Sequence, residues 1–344
     1  MSIDRTLGFT ALLAGHPAVG PRRLTELLAE RGAEAGWAEV GGDASIDPQR
    51  VLADHRAAGI EILVLGDARY PERLLADPEP PAVLFVDGDL ASLGSTRVAI
   101  VGTRRCTGGG AGVARELGRE LTEAGVTIVS GLALGIDGAA HRGVLDAGGA
   151  PVGVVGCGLD VVYPSRHRDL WTQVRSTGLL LSEAPLGVRP AAWRFPARNR
   201  IIAGLADLLV VVESHARGGS MHTVREADDR SIQVMAVPGS VRNPSAAGTN
   251  QLLAEGCAPV RDATDVLVAL GLSVASRAAE ADRRTRPDPV GQTVLAAFDW
   301  EPATLEHLVV RTGLHLPDLA LALEGLLAAG WVESAGGWYE RVAA

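Results

Sequence analysis

The sequence predicts an α/β protein in which a mostly parallel sheet carries helices on both faces, flanked by a small helical domain and a C-terminal winged helix. Short aliphatic runs alternate with helical patterns across residues 67–272. Near-continuous aliphatic strands joined by helical crossovers are typical of a parallel sheet that is buried on both faces. The chain of 344 residues is long enough for two or three domains.

Residues 1–66 form the first predicted domain, because apolar residues recur at helical spacing in "LTELLAERG". The stretch "GHPAVGPRRLTELL" has a turn followed by a Gly-Pro helix start, and it resembles a helix-hairpin-helix. The helix N-terminus of that motif can hold a DNA phosphate. A plain small helical domain is the alternative interpretation.

The second predicted domain, residues 67–272, contains six strands, at 98–102, 126–131, 150–156, 178–183, 207–213 and 232–239. Helical patterns such as "GVARELGRELTEAG" separate most of them. Binding sites in such sheets lie at the carboxyl ends of the strands. In "FPARNRIIAGLADLLVVVE" we expect a helix over "NRIIAGLA", with Arg198 and Arg200 at its start, and then a strand that ends at Glu213.

Residues 273–290 are polar, contain two prolines and are predicted to be a linker. Residues 291–344 show two helices and a hairpin with a Gly-Gly turn, which is a winged-helix pattern. The expected recognition helix, 316–329, contains Asp318 and Glu324 and no arginine, so phosphate would repel it. We therefore predict a protein-contact or self-association module, and DNA binding that survives removal of residues 287–344.

The basic residues of the chain are all arginine, 32 in number, so a phosphate can be held only by arginine, hydroxyl or backbone groups. The net charge of −9 disfavours nucleic acid, but residues 81–270 are neutral, with 18 acids and 18 arginines. Two stretches, 90–115 and 184–206, each contain four arginines and no acid. Local charge matters more than the total for an anionic ligand.

The composition disfavours several other classes of protein. No apolar run reaches the length of a membrane span, about 18 residues, and the N-terminus lacks a signal-peptide pattern, so we expect a cytoplasmic protein. The three cysteines, Cys106, Cys157 and Cys257, are far apart and outside metal-ligand spacing. We predict free thiols and no metal site.

The stretch "AIVGTRRCTGGGAGVARELG" predicts an anion site, because a strand ends at Gly102 and a helix begins near Gly110 after a glycine-rich loop. Further donors in this loop are Thr103, Arg104, Arg105 and Thr107. The loop is not a P-loop, because Gly102 and Gly108 are six residues apart rather than five and lysine is lacking. A dinucleotide site is disfavoured because the second strand has no acid at its tip. No cofactor is expected.

The stretch "SGLALGIDGAAHRG" contains the residue types of a hydrolytic triad, Ser130, His141 and Asp137. Ser130 is not part of a G-x-S-x-G elbow, however. We therefore favour Asp137 as a helix N-cap and His141 as a packing residue.

Nine motifs, in order across residues 67–270, together resemble the DNA-processing protein A family (DprA, also called Smf). They are "YPERLLADPEPPAVLFVDGD", "VAIVGTRRCTGGG", "VSGLALGIDGAAHRG", "GCGLDVVYPSRHRDL", "LLSEAPLG", "FPARNRIIAGLADLLVVVES", "GGSMHTVREA", "VPGS" and "GTNQLL". No single motif is decisive, but the ordered set is specific.

The resemblance implies a Rossmann-like domain that binds single-stranded DNA, delivers the strand to the RecA recombinase and protects incoming DNA in natural transformation. It also implies a SAM-like helical N-terminal domain, a winged helix, and a homodimer that forms through the Rossmann-like domain. No enzymatic turnover is implied.

The resemblance also implies a set of DNA-binding residues. They are Gly102, Thr103, Arg104, Arg105, Thr107, Gly108, Gly131, Arg198, Asn199, Arg200, Gly219, Ser220 and Thr223. Two positions depart from the family pattern, because Ala197 stands where a further arginine is common and Gly218 where serine is common.

We expect Arg198 and Arg200 to hold DNA phosphates, because arginine at a helix N-terminus is unfavourable for the helix itself. Asn199 would orient the loop or read a base. Trp193 and Phe195 are candidates for base stacking.

The related fold of nucleotide phosphoribohydrolases leaves a second hypothesis open, an enzyme acting on a nucleoside monophosphate with Glu213 or Glu226 near the phosphate cradle. Against it, "RGGSMHTVRE" lacks the Pro-Gly-Gly-x-Gly-Thr loop of those enzymes. A non-catalytic sensor of a small phosphorylated ligand is the third hypothesis.

Overall fold

The structure, a computed structural model, describes residues 3–272, 284–298 and 302–342. Contacts group the chain into two compact units, Met1–Cys106 with Val113–Ser273, and Thr107–Gly112 with Val274–Ala344. Residues 273–283 of the predicted linker lie outside the described residues. The division into four segments predicted from the sequence stays a prediction.

Four helices open the larger unit. They are α1 (Ile3–Gly15), α2 (Pro21–Glu30), α3 (Ala33–Glu39) and α4 (Pro48–Ala57). Proline occupies the first position of α2 and of α4, where its missing N–H is no loss. Asp47 caps α4 by accepting a hydrogen bond from the Gln49 amide at 2.9 Å. Phe9 and Leu13 of α1 belong to one hydrophobic cluster with Phe85 of the sheet, so these helices pack on it.

The start of α2, which the sequence suggests as a phosphate site, carries arginines that are ion-paired. Arg22 pairs with Glu79 at 3.1 Å, and Arg23 pairs with Glu39 at 2.5 Å. The helix-hairpin-helix interpretation stays a prediction.

One nine-stranded sheet forms the centre of the larger unit. Its strands are β1 (Glu61–Val64), β2 (Val83–Gly88), β3 (Arg97–Val101), β4 (Thr127–Ser130), β5 (Val152–Val155), β6 (Leu179–Ser182), β7 (Leu208–Val211), β8 (Gln233–Ala236) and β9 (Ala258–Pro259), in the order β1-β2-β6-β5-β4-β3-β7-β8-β9. All neighbours from β6 to β9 are parallel, and β2 is antiparallel to both β1 and β6. The mostly parallel sheet is confirmed, and its edge strand β1 lies inside the segment that the sequence predicts to be helical.

Helices cover both faces of this sheet. They are α5 (Glu72–Leu75), α6 (Gly108–Glu123), α7 (Ile136–Asp146), α8 (Arg168–Thr177), α9 (Arg194–Leu205), α10 (Ser220–Asp228), α11 (Ala247–Ala254) and α12 (Ala263–Ala269). In β3, Val98 and Ile100 belong to the cluster that contains the apolar residues of α6 and α7. Ala99 and Val101 belong instead to the cluster of α9. Because alternate residues of a strand point to opposite faces, β3 is buried on both sides, as the sequence predicts.

Two glycines let α6 and α7 approach each other closely. A Cβ added to Gly143 in α7 would lie 1.9 Å from the Arg115 carbonyl oxygen, and one added to Gly118 in α6 would lie 2.3 Å from the Ala140 carbonyl oxygen. Real side-chain atoms do not approach backbone so closely, so only glycine fits at these two positions.

We expect the substitution Gly143→Ala to lower the free energy of unfolding by at least about 1–3 kcal/mol, because the helix backbones must separate to admit the methyl group. Gly112→Ala, on the open side of α6 with no atom of the described residues within 4 Å, is the matched control. It should be neutral or stabilising, by up to about 1 kcal/mol, because alanine favours helix. Urea unfolding measures both, and equal effects would contradict the close packing.

The smaller unit has its own core. Its helices are α13 (Pro289–Ala296), α14 (Leu305–Thr312) and α15 (Leu316–Ala328), and its strands are β10 (Ala303–Thr304), β11 (Val332–Ala335) and β12 (Trp338–Arg341), paired antiparallel in the order β10-β12-β11. Phe298, Leu308 and Leu319 are fully buried together. The predicted recognition helix is α15, where Asp318 and Glu324 are exposed. Its interpretation as part of a winged helix that contacts protein stays a prediction.

Across the described ranges, the structure contains no helix both long enough and apolar enough to cross a membrane.

Candidate nucleic-acid interface

A cleft lies where the order of the strands reverses. From β3 the chain adds β4, β5 and β6 on one side of the sheet and later β7, β8 and β9 on the other. Ligands of open parallel sheets bind beyond the carboxyl ends of the strands at such a switch point. The cleft is lined by Arg104, Gly131, Ala133, Leu134, Val155, Gly156, Cys157, Tyr163, Pro164, Phe195 and Arg198. Four of the residues predicted for the site therefore meet in one place, Arg104, Gly131, Phe195 and Arg198.

An arginine and two aromatic rings stack at this cleft. The Arg104 guanidinium carbon lies 4.8 Å from the centre of the Phe195 ring. The Tyr163 ring lies 5.4 Å from the Phe195 ring, tilted by 30°. Tyr163 is 39% exposed. Arg104 is also exposed, and it carries no ion pair among the residues that the structure describes. The cleft therefore presents a cation next to flat apolar surfaces.

Tyr163 is a candidate that the sequence did not predict for stacking. Its only local signal is the Tyr-Pro pair in the loop that follows β5. Trp193, which was predicted, is 44% exposed, and the Arg194 guanidinium carbon lies 4.4 Å from the centre of its ring. Trp193 does not line the cleft itself, but Phe195, two residues along, does.

Backbone and hydroxyl hydrogen bonds hold the glycine-rich loop after β3. The Thr103 amide donates to the Glu213 carbonyl oxygen at 2.7 Å, and the Thr103 hydroxyl accepts from the Arg105 amide at 3.3 Å. The Thr107 hydroxyl accepts from the Gly110 amide at 2.9 Å. The helix predicted to begin near Gly110 begins at Gly108, two residues earlier, and Thr107 precedes it as a cap. Gly102 must be glycine, because a Cβ there would lie 2.5 Å from the Ile136 side chain.

Arg198, a buried arginine, lines the cleft and lies near a buried carboxylate, Asp137. Arg198, 6% exposed, donates from Nη1 to the carbonyl oxygens of Gly131, at 2.8 Å, and Val154. Asp137 accepts from the Gly131 amide at 3.2 Å. A Cβ on Gly131 would lie 2.4 Å from Arg198 and 2.6 Å from Asp137, so glycine is required between the two charges.

Burial shifts the pKa values of both groups. It lowers the pKa of Arg198 to about 10, against the opposing attraction of Asp137, so the guanidinium stays charged at neutral pH. Burial raises the pKa of Asp137, and the positive charges of Arg198 and Arg104 counter that rise. The two groups therefore partly compensate each other's charge.

The prediction that Arg198 and Arg200 stand at a helix start is wrong. Helix α9 begins at Arg194, and Pro196 falls in its first turn, where proline is tolerated. Arg200, 8% exposed, pairs with Glu183 at 2.5 Å and donates to the Glu79 carbonyl oxygen at 3.1 Å. Both arginines thus point inward.

Asn199, between the two buried arginines, is half-buried. Across the described residues its side chain makes no hydrogen bond, so the amide is available to a ligand.

The fourth predicted loop does not line the cleft. Gly219 precedes α10, and the Ser220 hydroxyl donates to the Ser214 hydroxyl at 2.8 Å. Ser220 and Thr223 are buried. A Cβ on Gly218 would lie 2.6 Å from the Ser214 hydroxyl, which accounts for glycine at that position.

The hydrolytic triad has no accessible nucleophile. Ser130 is fully buried and donates to the Ile100 carbonyl oxygen at 2.6 Å. His141 is buried, and desolvation lowers its pKa to about 3. The prediction that Asp137 caps its helix is wrong, because Gly135 occupies the N-cap of α7 and Asp137 bonds to Gly131 instead.

The three cysteines are free thiols, as predicted. Cys157 lines the cleft, donates to the Val161 carbonyl oxygen at 3.3 Å, and has a pKa raised to about 11 by burial. It is therefore protonated and unreactive at neutral pH. Among the described residues, no group of three or more His, Cys, Asp or Glu side chains is arranged to hold a metal ion.

Comparison with known proteins points to one family. A family model described as DNA recombination-mediator protein A matches residues 61–271. Protein Smf of Escherichia coli K12 is 37% identical over 281 residues, which are 79% of this chain and 75% of that protein.

Two solved structures are similar to the chain. The DNA processing protein A of Streptococcus pneumoniae matches with a TM-score of 0.67 and 31% identity, over 78% of this chain and 98% of that one. The DNA processing protein A of Helicobacter pylori, whose structure concerns a single-stranded DNA binding mode, matches with a TM-score of 0.54 and 30% identity, over 61% of this chain and 95% of that one.

Proposed function

Because the chain belongs to the DNA recombination-mediator protein A family, we propose that it binds single-stranded DNA in the cleft at the carboxyl ends of β3, β4 and β5. The family membership confirms the resemblance indicated by the motifs. The observation that carries the proposal is the stack of Arg104 on Phe195 beside Tyr163. Single-strand binding combines a cationic groove with aromatic or guanidinium planes on which bases stack.

The charge at the rim of the cleft supports a polyanion as the ligand. Five exposed arginines that follow β3, β5 and β6 carry no ion pair among the described residues, four of them on loops (Arg104, Arg105, Arg166 and Arg189) and one at the start of α8 (Arg168). Some other exposed arginines of the larger unit, such as Arg115 and Arg261, are paired with carboxylates instead. Unpaired guanidiniums on these loops fit a backbone of phosphates.

In this proposal the buried polar residues of the site hold the loops and do not contact DNA. Arg198 and Arg200 already satisfy backbone carbonyls or a carboxylate, and removing them from those partners to reach a phosphate would leave buried groups unpaired. We therefore propose that they fix the loops, together with Ser220 and Thr223, while the exposed arginines contact the strand.

On family membership alone we also propose that the protein delivers single strands to RecA and protects incoming DNA in transformation. The same basis supports a homodimer through the sheet domain, action in the cytoplasm and no catalytic turnover. Glu226, one acid of the enzymatic hypothesis, pairs with Arg230 at 2.7 Å, and Glu213, the other acid, is buried.

A fluorescently labelled oligo-dT, titrated with the protein without divalent metal, tests the proposed function. If three or four arginines contact phosphate, log K should fall against log [salt] with a slope of about −2 to −3. A duplex of equal length should bind more weakly, because the cleft offers stacking surfaces and no helix for the major groove. Failure to bind oligo-dT at low salt would overturn the proposal, and so would sustained release of base from nucleoside monophosphates that is lost in Glu213→Gln.

A further inference from the structure

The segment between β6 and α9 is tied to the N-terminal helices by a histidine. His55 of α4 is 2% exposed, and its Nδ1 lies 2.7 Å from the Val51 carbonyl oxygen. The Leu186 amide donates to the His55 Nε2 at 3.2 Å. A carbonyl at Nδ1 and an amide at Nε2 require one tautomer, with the proton on Nδ1 and the lone pair on Nε2. The imidazole must therefore be neutral to hold Leu186.

A carboxylate holds the next amide of the same segment. Asp160 accepts from the Gly187 amide with both of its oxygens, at 2.9 and 3.0 Å. Gly187 has a φ of +77°, which favours glycine. The Gly158 amide then donates to the Val188 carbonyl oxygen at 2.9 Å. Hydrogen bonds thus hold residues 186, 187 and 188 in turn, and the exposed Arg189 follows them.

The residues that follow this anchored segment face solvent. Arg189 is exposed and has no ion pair among the described residues, and Trp193 is exposed with Arg194 against its ring. A cation and an aromatic ring on a loop next to the cleft are suited to a single strand. The positions of the Arg189 and Trp193 side chains therefore depend on how residues 186–188 are held.

We propose that His55 is a positioning residue for DNA binding, through which the N-terminal helices hold the loop that carries Arg189 and Trp193, and that protonation of His55 releases this loop. The proposal rests on the proposed function. An imidazolium carries N–H on both nitrogens, so its Nε2 can no longer accept from Leu186.

The groups around His55 set the direction of its titration. Burial lowers its pKa, while the negative charges of Asp160 and Asp54 oppose that shift, and the Phe85 ring 5.2 Å away adds no charge. His55 is therefore neutral at pH 7 and takes up its proton only below the ordinary range of histidine. His55→Gln does not titrate at this position, so a loss of affinity at low pH that is present in the natural chain and absent from this variant identifies His55.

The test compares three proteins by anisotropy with labelled oligo-dT at constant ionic strength from pH 8 to pH 4. We expect the affinity of the natural chain to fall about three- to tenfold at the acidic end, the effect of losing one hydrogen bond. His55→Leu, which removes the acceptor, should show that loss at every pH. His55→Gln, whose amide oxygen can accept and does not titrate, should restore the affinity and abolish the acidic loss.

The control is His315→Gln, which removes an exposed histidine from the smaller unit and should leave the pH profile unchanged. Urea unfolding of each protein separates positioning from stability. If the His55 variants change only the unfolding midpoint, and affinity and pH profile match those of the natural chain, the inference is overturned. If His55→Leu does not fold, the profiles of the natural chain and of His55→Gln decide, and identical profiles overturn it. A natural chain that does not bind oligo-dT at any pH overturns the proposed function itself, which is a different result.

Discussion

Replacing Arg104 by alanine should weaken binding of single-stranded DNA by about 1–3 kcal/mol, which is roughly 5- to 150-fold. The guanidinium is exposed, lies 4.8 Å from the Phe195 ring and has no ion pair among the described residues, so it can contact a phosphate without breaking one. Loss of one phosphate contact should also make the salt slope shallower by about 0.7. Stability should change by less than about 0.5 kcal/mol, because the side chain is at the surface.

Two further variants test whether the loss depends on the shape and the position of the Arg104 side chain. Arg104→Lys keeps the charge but loses the flat guanidinium, so it should retain the salt slope and recover only part of the affinity. Arg50→Ala removes an exposed arginine of α4, which also lacks an ion pair in the described part of the chain, and should change affinity little. Equal losses in Arg104→Ala and Arg50→Ala would mean that only the total charge matters.

Replacing Arg198 by methionine should destabilise the fold by about 3–5 kcal/mol, because it removes one member of a buried pair of charges. The Asp137 carboxylate would lose its compensating cation, and the carbonyl oxygens of Gly131 and Val154 would lose their donor. Urea unfolding followed by tryptophan fluorescence measures the change. The double substitution Asp137→Asn with Arg198→Met should recover part of the stability, because no buried charge then remains unpaired.

The same substitution distinguishes the two roles considered for this arginine. If Arg198 contacts a DNA phosphate, Arg198→Met should stay within about 1 kcal/mol of the natural stability, as is usual for a side chain without buried partners, and should lose affinity with a shallower salt slope. That outcome would contradict the inward role given to Arg198 by its hydrogen bonds.

The sequence was sufficient for the six parallel strands β3 to β8, because they follow from the spacing of apolar residues, but it did not predict the strands β1, β2 and β9. Aliphatic runs such as Leu208–Val211 have few alternatives to a buried parallel strand, and sites follow strand ends. The direction of Arg198 could not be predicted in this way. It depends on where α9 begins, and the helix expected over 199–206 starts earlier, at Arg194.

Contacts between distant segments were the other limit of the sequence. Tyr163 and Phe195 stack although they belong to different loops, and the pairing depends on how β5 and α9 are placed by the sheet. The bond between His55 and Leu186 joins residues 131 positions apart, and neither residue shows a local pattern that predicts it. Propensity and periodicity describe neighbours along the chain, so such pairs appear only once the fold is known.

The guanidinium that covers Phe195 also protects the protein while no strand is bound. A ring kept ready for stacking is an apolar surface at the mouth of a cleft, and such surfaces promote aggregation when they are large and bare. Arg104 lies over that ring much as a nucleobase would, so a strand can exchange one flat partner for another. On the proposed function, the side chain that contacts the strand is also the one that covers the ring before the strand binds.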